Sequence, residues 1–195
     1  MKCKVKKVDF LRELKLMVKV APSKPVQPVL SGILIQAKDT ALVMTATDLN
    51  VGLIGACPAE VGEPGSIILP VNQLFHLVKA QSGDVIDLSS DKKSGVTFRC
   101  GKFKSSFKTF DVEDFPTIPD VEGDTVLLGR DSLKQMFPKV TYVVSGSNAN
   151  PILGFILVEL APQSVQFVAA SGPCLSIVKT EREGDEAVDL SLIHI

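Results

Sequence analysis

Residue types that could do covalent chemistry are few and scattered. His76 and His194 are the two histidines, and Cys3, Cys57, Cys100 and Cys174 form no CxxC pair. Zinc wants closely spaced thiolate and imidazole ligands. The pattern points instead to reduced, mostly buried thiols and to no cofactor or metal. Glu113 and Asp114 adjoin each other in a proline-bearing stretch. A general acid/base pair needs opposed environments, so they read as a solvated acidic turn. Ser-Gly-Ser-Asn at 145–148 has the composition of an anion nest, and more simply of a loop. No Walker A, GxGxxG, HExxH or GxSxG pattern occurs. What remains is basic. Arg12, Lys15 and Lys19 stand three and four apart, a spacing that shares one side of a helix. Lys79, Lys134 and Lys139 fall on two further predicted helices. Any one such face reads as solvated. Repeated on successive helices, they suggest a surface for a phosphate backbone.

The elements that must carry these residues follow from periodicity and breakers. Residues 2–8 alternate lysine with apolar residues, an edge-like strand in which lysine discourages stray pairing. Residues 9–20 form a helix with Phe10, Leu11, Leu14, Met17 and Val18 inward and Asp9 as its cap. Pro22, Pro25 and Pro28 stop that helix and stiffen the loop that holds Lys24. Strands are predicted over 28–37, 41–47 and 51–57. A second β-α-β-β-β run follows: strand 66–69, a helix over 71–80 opened by Pro70, and strands 85–89, 96–100 and 103–110. The acidic, proline-bearing stretch 110–120 closes it. The pattern then restarts with strand 125–128, a helix over 130–140 kinked or shortened by Pro138, a loop over 145–150, and strands 151–160, 164–170 and 174–180.

The restart is a repeat. A fixed shift of 123 positions carries Phe10 onto Leu133, Leu14 onto Phe137, Pro28 onto Pro151, Leu30 onto Leu153, Ile33 onto Ile156 and Ala46 onto Ala169, with no gap. Five of the twenty-two positions over 28–49 are identical, and many others stay apolar. Internal duplication explains this better than chance. It divides the chain into domains 1–123 and 124–195. The second is incomplete, because residue 195 falls where the first copy has Asn72. Residues 190–195 stand where the first copy has 67–72, without the proline that opens a helix there. A truncated reading frame or a foreign tail is expected.

The helix, the stretch KPVQPVLSGILI, ALVMTATDLNVGL, GSIILPVNQL and FDVEDFPTIP, in that order, resemble the bacterial sliding clamp. That is the β subunit of DNA polymerase III, a processivity factor. The resemblance covers nearly all of the first domain and runs on into the second. It implies an α+β DNA clamp fold: repeated β-α-β-β-β half-domains, antiparallel sheets outside, helices on one face. It also implies a non-enzymatic role, in which a head-to-tail homodimer ring of three clamp domains per subunit encircles duplex DNA and tethers the polymerase. A third such domain is not expected within these 195 residues. Partners implied are double-stranded DNA without sequence preference, the replicative polymerase and the clamp loader.

Carried onto this sequence, the resemblance makes Lys24 a DNA contact and turns Arg12, Lys15, Lys19 and Lys79 towards the hole. Ser147, Asn148 and Asn150 belong to the second domain's DNA-facing loop. Lys102, Lys104 and Phe107 match the dimer edge. Leu153, Ala170, Gly172, Pro173 and Leu175 fall in the partner-peptide pocket. There Gly172 and Leu175 keep the family residue, while Pro173 and Cys174 replace a histidine and an arginine. An alternative is a short clamp relative acting as a monomeric binding or decoy module. A net charge of −1 fits a mildly acidic whole with a basic lining. No apolar run approaches the roughly 18 residues of a membrane span, and the expected location is cytoplasmic.

Overall fold

A computed structural model describes residues 1–22, 24–91, 95–119, 127–144, 151–181 and 188–194, with backbone only at Asp91, Pro151 and 188–194. The chain divides into two compact units, Met1–Val121 and Glu122–Ile195.

The first unit runs β1 (Lys2–Lys6), α1 (Lys7–Val20), a 3-10 turn at Pro28–Ser31, β2 (Gly32–Lys38), β3 (Ala41–Thr47), β4 (Gly52–Glu63), β5 (Gly65–Pro70), α2 (Val71–Ala80), β6 (Val85–Asp91), β7 (Gly95–Cys100), β8 (Phe103–Phe107) and a 3-10 turn at Val112–Asp114. Its strands form one antiparallel sheet in the order β5-β2-β3-β4-β1-β6-β7-β8. The two β-α-β-β-β runs are interleaved. The first strand of each pairs with the second strand of the other, β1 with β6 and β5 with β2. Alternate residues of the strands face α1 and α2 and close the main core: Ile33 and Ile35, Leu42 and Met44, Ile86 and Leu88, and Phe98, under Phe10, Leu14, Met17, Leu74 and Val78. Period-2 strands meeting period-3.6 helices produce this one-sided burial.

The second unit repeats the first half: α3 (Arg130–Thr141), a 3-10 turn at Pro151–Gly154, β9 (Phe155–Ala161), β10 (Ser164–Ser171), β11 (Cys174–Glu181) and β12 (Val188–His194). Its sheet order β11-β10-β9-β12 matches β4-β3-β2-β5 at the 123-residue shift. Pairing register is kept as well. Leu34 opposes Thr45 and Thr45 opposes Ile54, as Leu157 opposes Val168 and Val168 opposes Ile177. β12 takes the place of β5, starting in the same register at Val188 opposite Leu160 and slipping at an irregularity before Ser191. Met136, Val140, Ile156, Val158, Val165 and Phe167 make this unit's own core.

Several boundaries differ from expectation. β1 is central, between β4 and β6. Its lysines face solvent from the sheet surface and guard no edge. α1 starts at Lys7, with Lys6 at the cap position and no side-chain cap. The Lys7 amide instead donates to the Asp84 carbonyl at 2.8 Å and its ammonium to the Gln81 carbonyl. Asp9 lies in the first turn, where a carboxylate still suits the helix dipole. Residues 28–31 form a 3-10 turn, not strand, in the first unit and again at the repeat position. β4 continues through Pro58 to Glu63, because proline stands where β4 changes partner from β3 to β1. β8 ends at Phe107, short of 110. Of the strand expected at 125–128, residues 125–126 lie outside the described residues, and Leu127 and Leu128 are not strand. α3 runs through Pro138 to Thr141.

Candidate nucleic-acid interface

α1 and α2 pack side by side on one face of the first sheet. Phe10, Leu14 and Met17 are fully buried beneath α1, which leaves Arg12, Lys15 and Lys19 exposed on the opposite side. The three cations are not equivalent. Arg12 Nη1 lies 3.6 Å from Asp9 Oδ1, and Arg12 Nε donates to Glu13 Oε1 at 3.1 Å. Its charge is therefore shared within its own helix. Among the described residues no carboxylate lies within ion-pair distance of Lys15 or Lys19. On α2 the exposed polar residues are Asn72, Gln73, His76 and Lys79. Lys19 and Lys79 each occupy a last turn, where the helix dipole favours a cation. Val8 and Leu16 also stand exposed on α1. The sequence places Val8 at the end of the first strand and gives Leu16 no role, since apolar residues off the main stripe carry no periodic signal.

Lys24 is exposed on the loop between Ala21 and the 3-10 turn. Ala21 is buried and its amide caps α1 onto the Met17 carbonyl at 3.0 Å. At the other end the Leu30 amide donates to the Gln27 carbonyl at 3.0 Å. In the second unit Lys134 and Lys139 are exposed on α3. Ser147, Asn148 and Asn150 lie outside the described residues.

Lys102, Lys104 and Phe107 belong to β8 and the turn before it, at the end of the sheet order. Lys102 and Lys104 are exposed. Phe107 turns inward, its ring 6.5 Å from that of Phe98. A row invisible in the sequence crosses the other face: Glu60 opposite Lys4, Lys4 opposite Asp87, Asp87 opposite Arg99, Arg99 opposite Lys104. Charges alternate along it until the last pair. Opposite charges across strands stabilise and like charges oppose, so the row ends at β8 with an excess of positive charge.

Ala170 and Leu175 oppose each other on the β10–β11 hairpin, whose turn is Gly172-Pro173. Gly172, the first central residue of that turn, has φ 52, a conformation that favours glycine. Gly172, Pro173 and Leu175 are exposed, and Leu153 is half-buried in a 3-10 turn packed on β9 and β10. Burial pushes the Cys57 thiol up to about 12 and the Cys3 thiol to about 11. The described residues hold no cluster of His, Cys, Asp and Glu able to ligate a metal. None of their helices is long and apolar enough to cross a membrane.

Similarity to known proteins follows the same geometry. Solved clamps share the fold: that of Bacillus subtilis at TM-score 0.92 and 21% identity, covering 100% of this chain and 54% of that one. The DNA polymerase III subunit beta of Pseudomonas aeruginosa follows at 0.90 and 23%, covering 100% and 53%. The beta sliding clamp of Chlamydia trachomatis is 28% identical over 169 residues, 86% of this chain and 41% of that protein. That of Synechococcus elongatus is 27% identical over 184 residues, 93% and 49%. The chain spans about half the length of the curated relatives it matches. Residues 1–119 match the family model for the DNA polymerase III beta subunit, N-terminal domain, and the chain belongs to that family.

Proposed function

We propose that the chain is part of a sliding clamp that encircles duplex DNA and tethers the replicative polymerase, conferring processivity. Residues 1–123 would be its N-terminal clamp domain and 124–195 part of the second. The observation that carries this reading is the pair of adjacent helices whose outer side presents Lys15, Lys19 and Lys79, none of which has a carboxylate partner among the described residues. Such cations attract a phosphate backbone without reading sequence. Retention then rests on topology, so each contact stays weak and sliding stays fast. The family is a non-enzymatic one. Cytoplasmic replication is the setting this task implies, with the clamp loader as a further partner. Arg12 contributes less than the lysines, because Asp9 and Glu13 already hold it.

The test is twofold. Full-length protein, once loaded, should stay on circular duplex and slip from linearised duplex; equal loss from both removes the ring reading. In the present chain, changing Lys15, Lys19, Lys24 and Lys79 to Gln should flatten the dependence of log affinity on log salt by about 0.9 per lysine. An unchanged slope removes these residues from the interface.

The β8 edge supports the dimer assignment of Lys102, Lys104 and Phe107. It is a terminal strand with surplus positive charge, suited to an acidic strand of a second subunit. The same edge favours a second reading, in which this chain docks alone onto a complete clamp. Failure of the purified chain to associate with one would eliminate it. Leu153, Ala170, Gly172, Pro173 and Leu175 remain the proposed partner-peptide surface.

A further inference from the structure

The sheet surface opposite α1 and α2 carries a small second core. Val29, Leu30 and Ile68 are buried there together with Phe115, and Leu34 and Phe110 pack against them. The residues come from three separate places: the 3-10 turn after the Lys24 loop, strands β2 and β5, and the segment after β8. That segment is shaped locally. Asp111 Oδ1 accepts from the Glu113 amide at 3.2 Å, and the Phe115 amide donates to the Val112 carbonyl at 3.3 Å. The short turn Val112–Asp114 so formed delivers the Phe115 ring onto Ile68 and the Val29–Leu30 pair. Farther on, Ile118 lies against Gly52, where an added Cβ would stand 2.8 Å from Ile118 Cδ1.

The Lys24 loop is therefore held by two different cores. Its upstream end, Ala21, sits in the main core. Its downstream end, Val29 and Leu30, sits in the small one. Prolines at 22, 25 and 28 stiffen what lies between, and a stiff span transmits the position of its anchors. We propose that Phe115 is a positioning residue for the DNA-facing loop: by completing the small core it fixes the turn that sets where Lys24 stands. The inference rests on the DNA-binding reading above and adds a residue far in sequence from any cation.

The experiment compares the chain with Phe115→Ala, Phe115→Leu and Asp111→Ala by two measurements. The first is amide hydrogen exchange over 29–32. The second is the share of formaldehyde crosslinks to a duplex oligonucleotide at low salt that falls on Lys24, relative to Lys15 and Lys19. Phe115→Ala should speed exchange over 29–32 by about tenfold while α1 amides hold, as expected for a local opening. The Lys24 share should drop, and Phe115→Leu should restore most of both. Asp111→Ala removes the turn's side-chain acceptor and no buried apolar surface, so it reports in the same direction if Phe115→Ala does not fold. Unchanged exchange over 29–32 overturns the anchoring. Faster exchange with an unchanged Lys24 share leaves Phe115 a structural residue only and overturns the positioning role. If the parent chain crosslinks through none of the three lysines, the DNA-binding reading falls. The exchange comparison then still decides whether Phe115 sets the turn.

Discussion

Cys57 shows how a single buried group ties this fold to pH. It lies under α1, where burial and, to a lesser degree, the carboxylates of Glu13 and Asp9 oppose a thiolate. Its folded pKa stands at about 12 against an ordinary 9.0. A raised folded pKa means that the unfolded chain gives up its proton first as pH rises. The stabilisation is thus complete below pH 9 and is lost progressively between about 9 and 12. At pH 10 the expected loss from this one group is about 1 kcal/mol. Urea midpoints at pH 8 and pH 10 should fall further apart in the parent chain than in Cys57→Ala. Equal spacing would mean that Cys57 does not govern the alkaline limb. The thiol's burial is legible in the sequence, but its nearness to Asp9 and Glu13 is not, since residues 9 and 57 meet only once α1 lies across β4.

At the level of elements, the 123-residue repeat is the feature the sequence carries most legibly. Pro28 and Pro151 each open a 3-10 turn, and β2 and β9 begin four residues later in both units. The turn itself looks like strand in the sequence, because PVLS and PILG are as apolar as the strands they precede and periodicity over four residues cannot separate the two. The central place of β1 was hidden for a related reason. Alternating lysine looks the same on a guarded edge and on the solvent side of an interior strand. Only pairing, which is non-local, distinguishes them. Within the repeat, Gly32 departs sharply from its counterpart Phe155. An added Cβ at Gly32 would stand 2.6 Å from Ile68 Cγ2 and 3.2 Å from the Leu69 carbonyl oxygen. The first unit fills that space with Ile68 from β5, and Phe115 closes over it. Gly32→Ala should therefore cost about 1–3 kcal/mol, the usual range for overpacking a filled site. A denaturant midpoint equal to that of the parent would mean β5 shifts without strain.

For the molecule as a whole, the decisive contrast is between a unit with both interleaved runs and a unit with one. The first unit covers one sheet face with α1 and α2 and part of the other with the segment around Phe115. The second has α3 on one face. On the other, Leu175 and Ile177 are 63% and 55% exposed. Ile54, the first-unit counterpart of Ile177, is exposed too, but Gly52, the counterpart of Leu175, offers no apolar side chain to solvent and has Ile118 against it. Buried apolar area supplies most of the stabilisation against chain entropy, so the two units should differ in stability. We expect residues 1–121 alone to fold, with the same slow-exchanging amides in β2, β3, β6 and β7 as in the longer chain. Amides of β9 and β10 should exchange faster than these, because a smaller core opens at lower free energy. Exchange mapped on the 195-residue chain and on 1–121 checks both statements. Loss of protection in the shorter chain would mean that the first unit draws its stability from residues beyond 121, and equal protection of β9 and β3 would mean that the exposed face of the second unit costs it nothing.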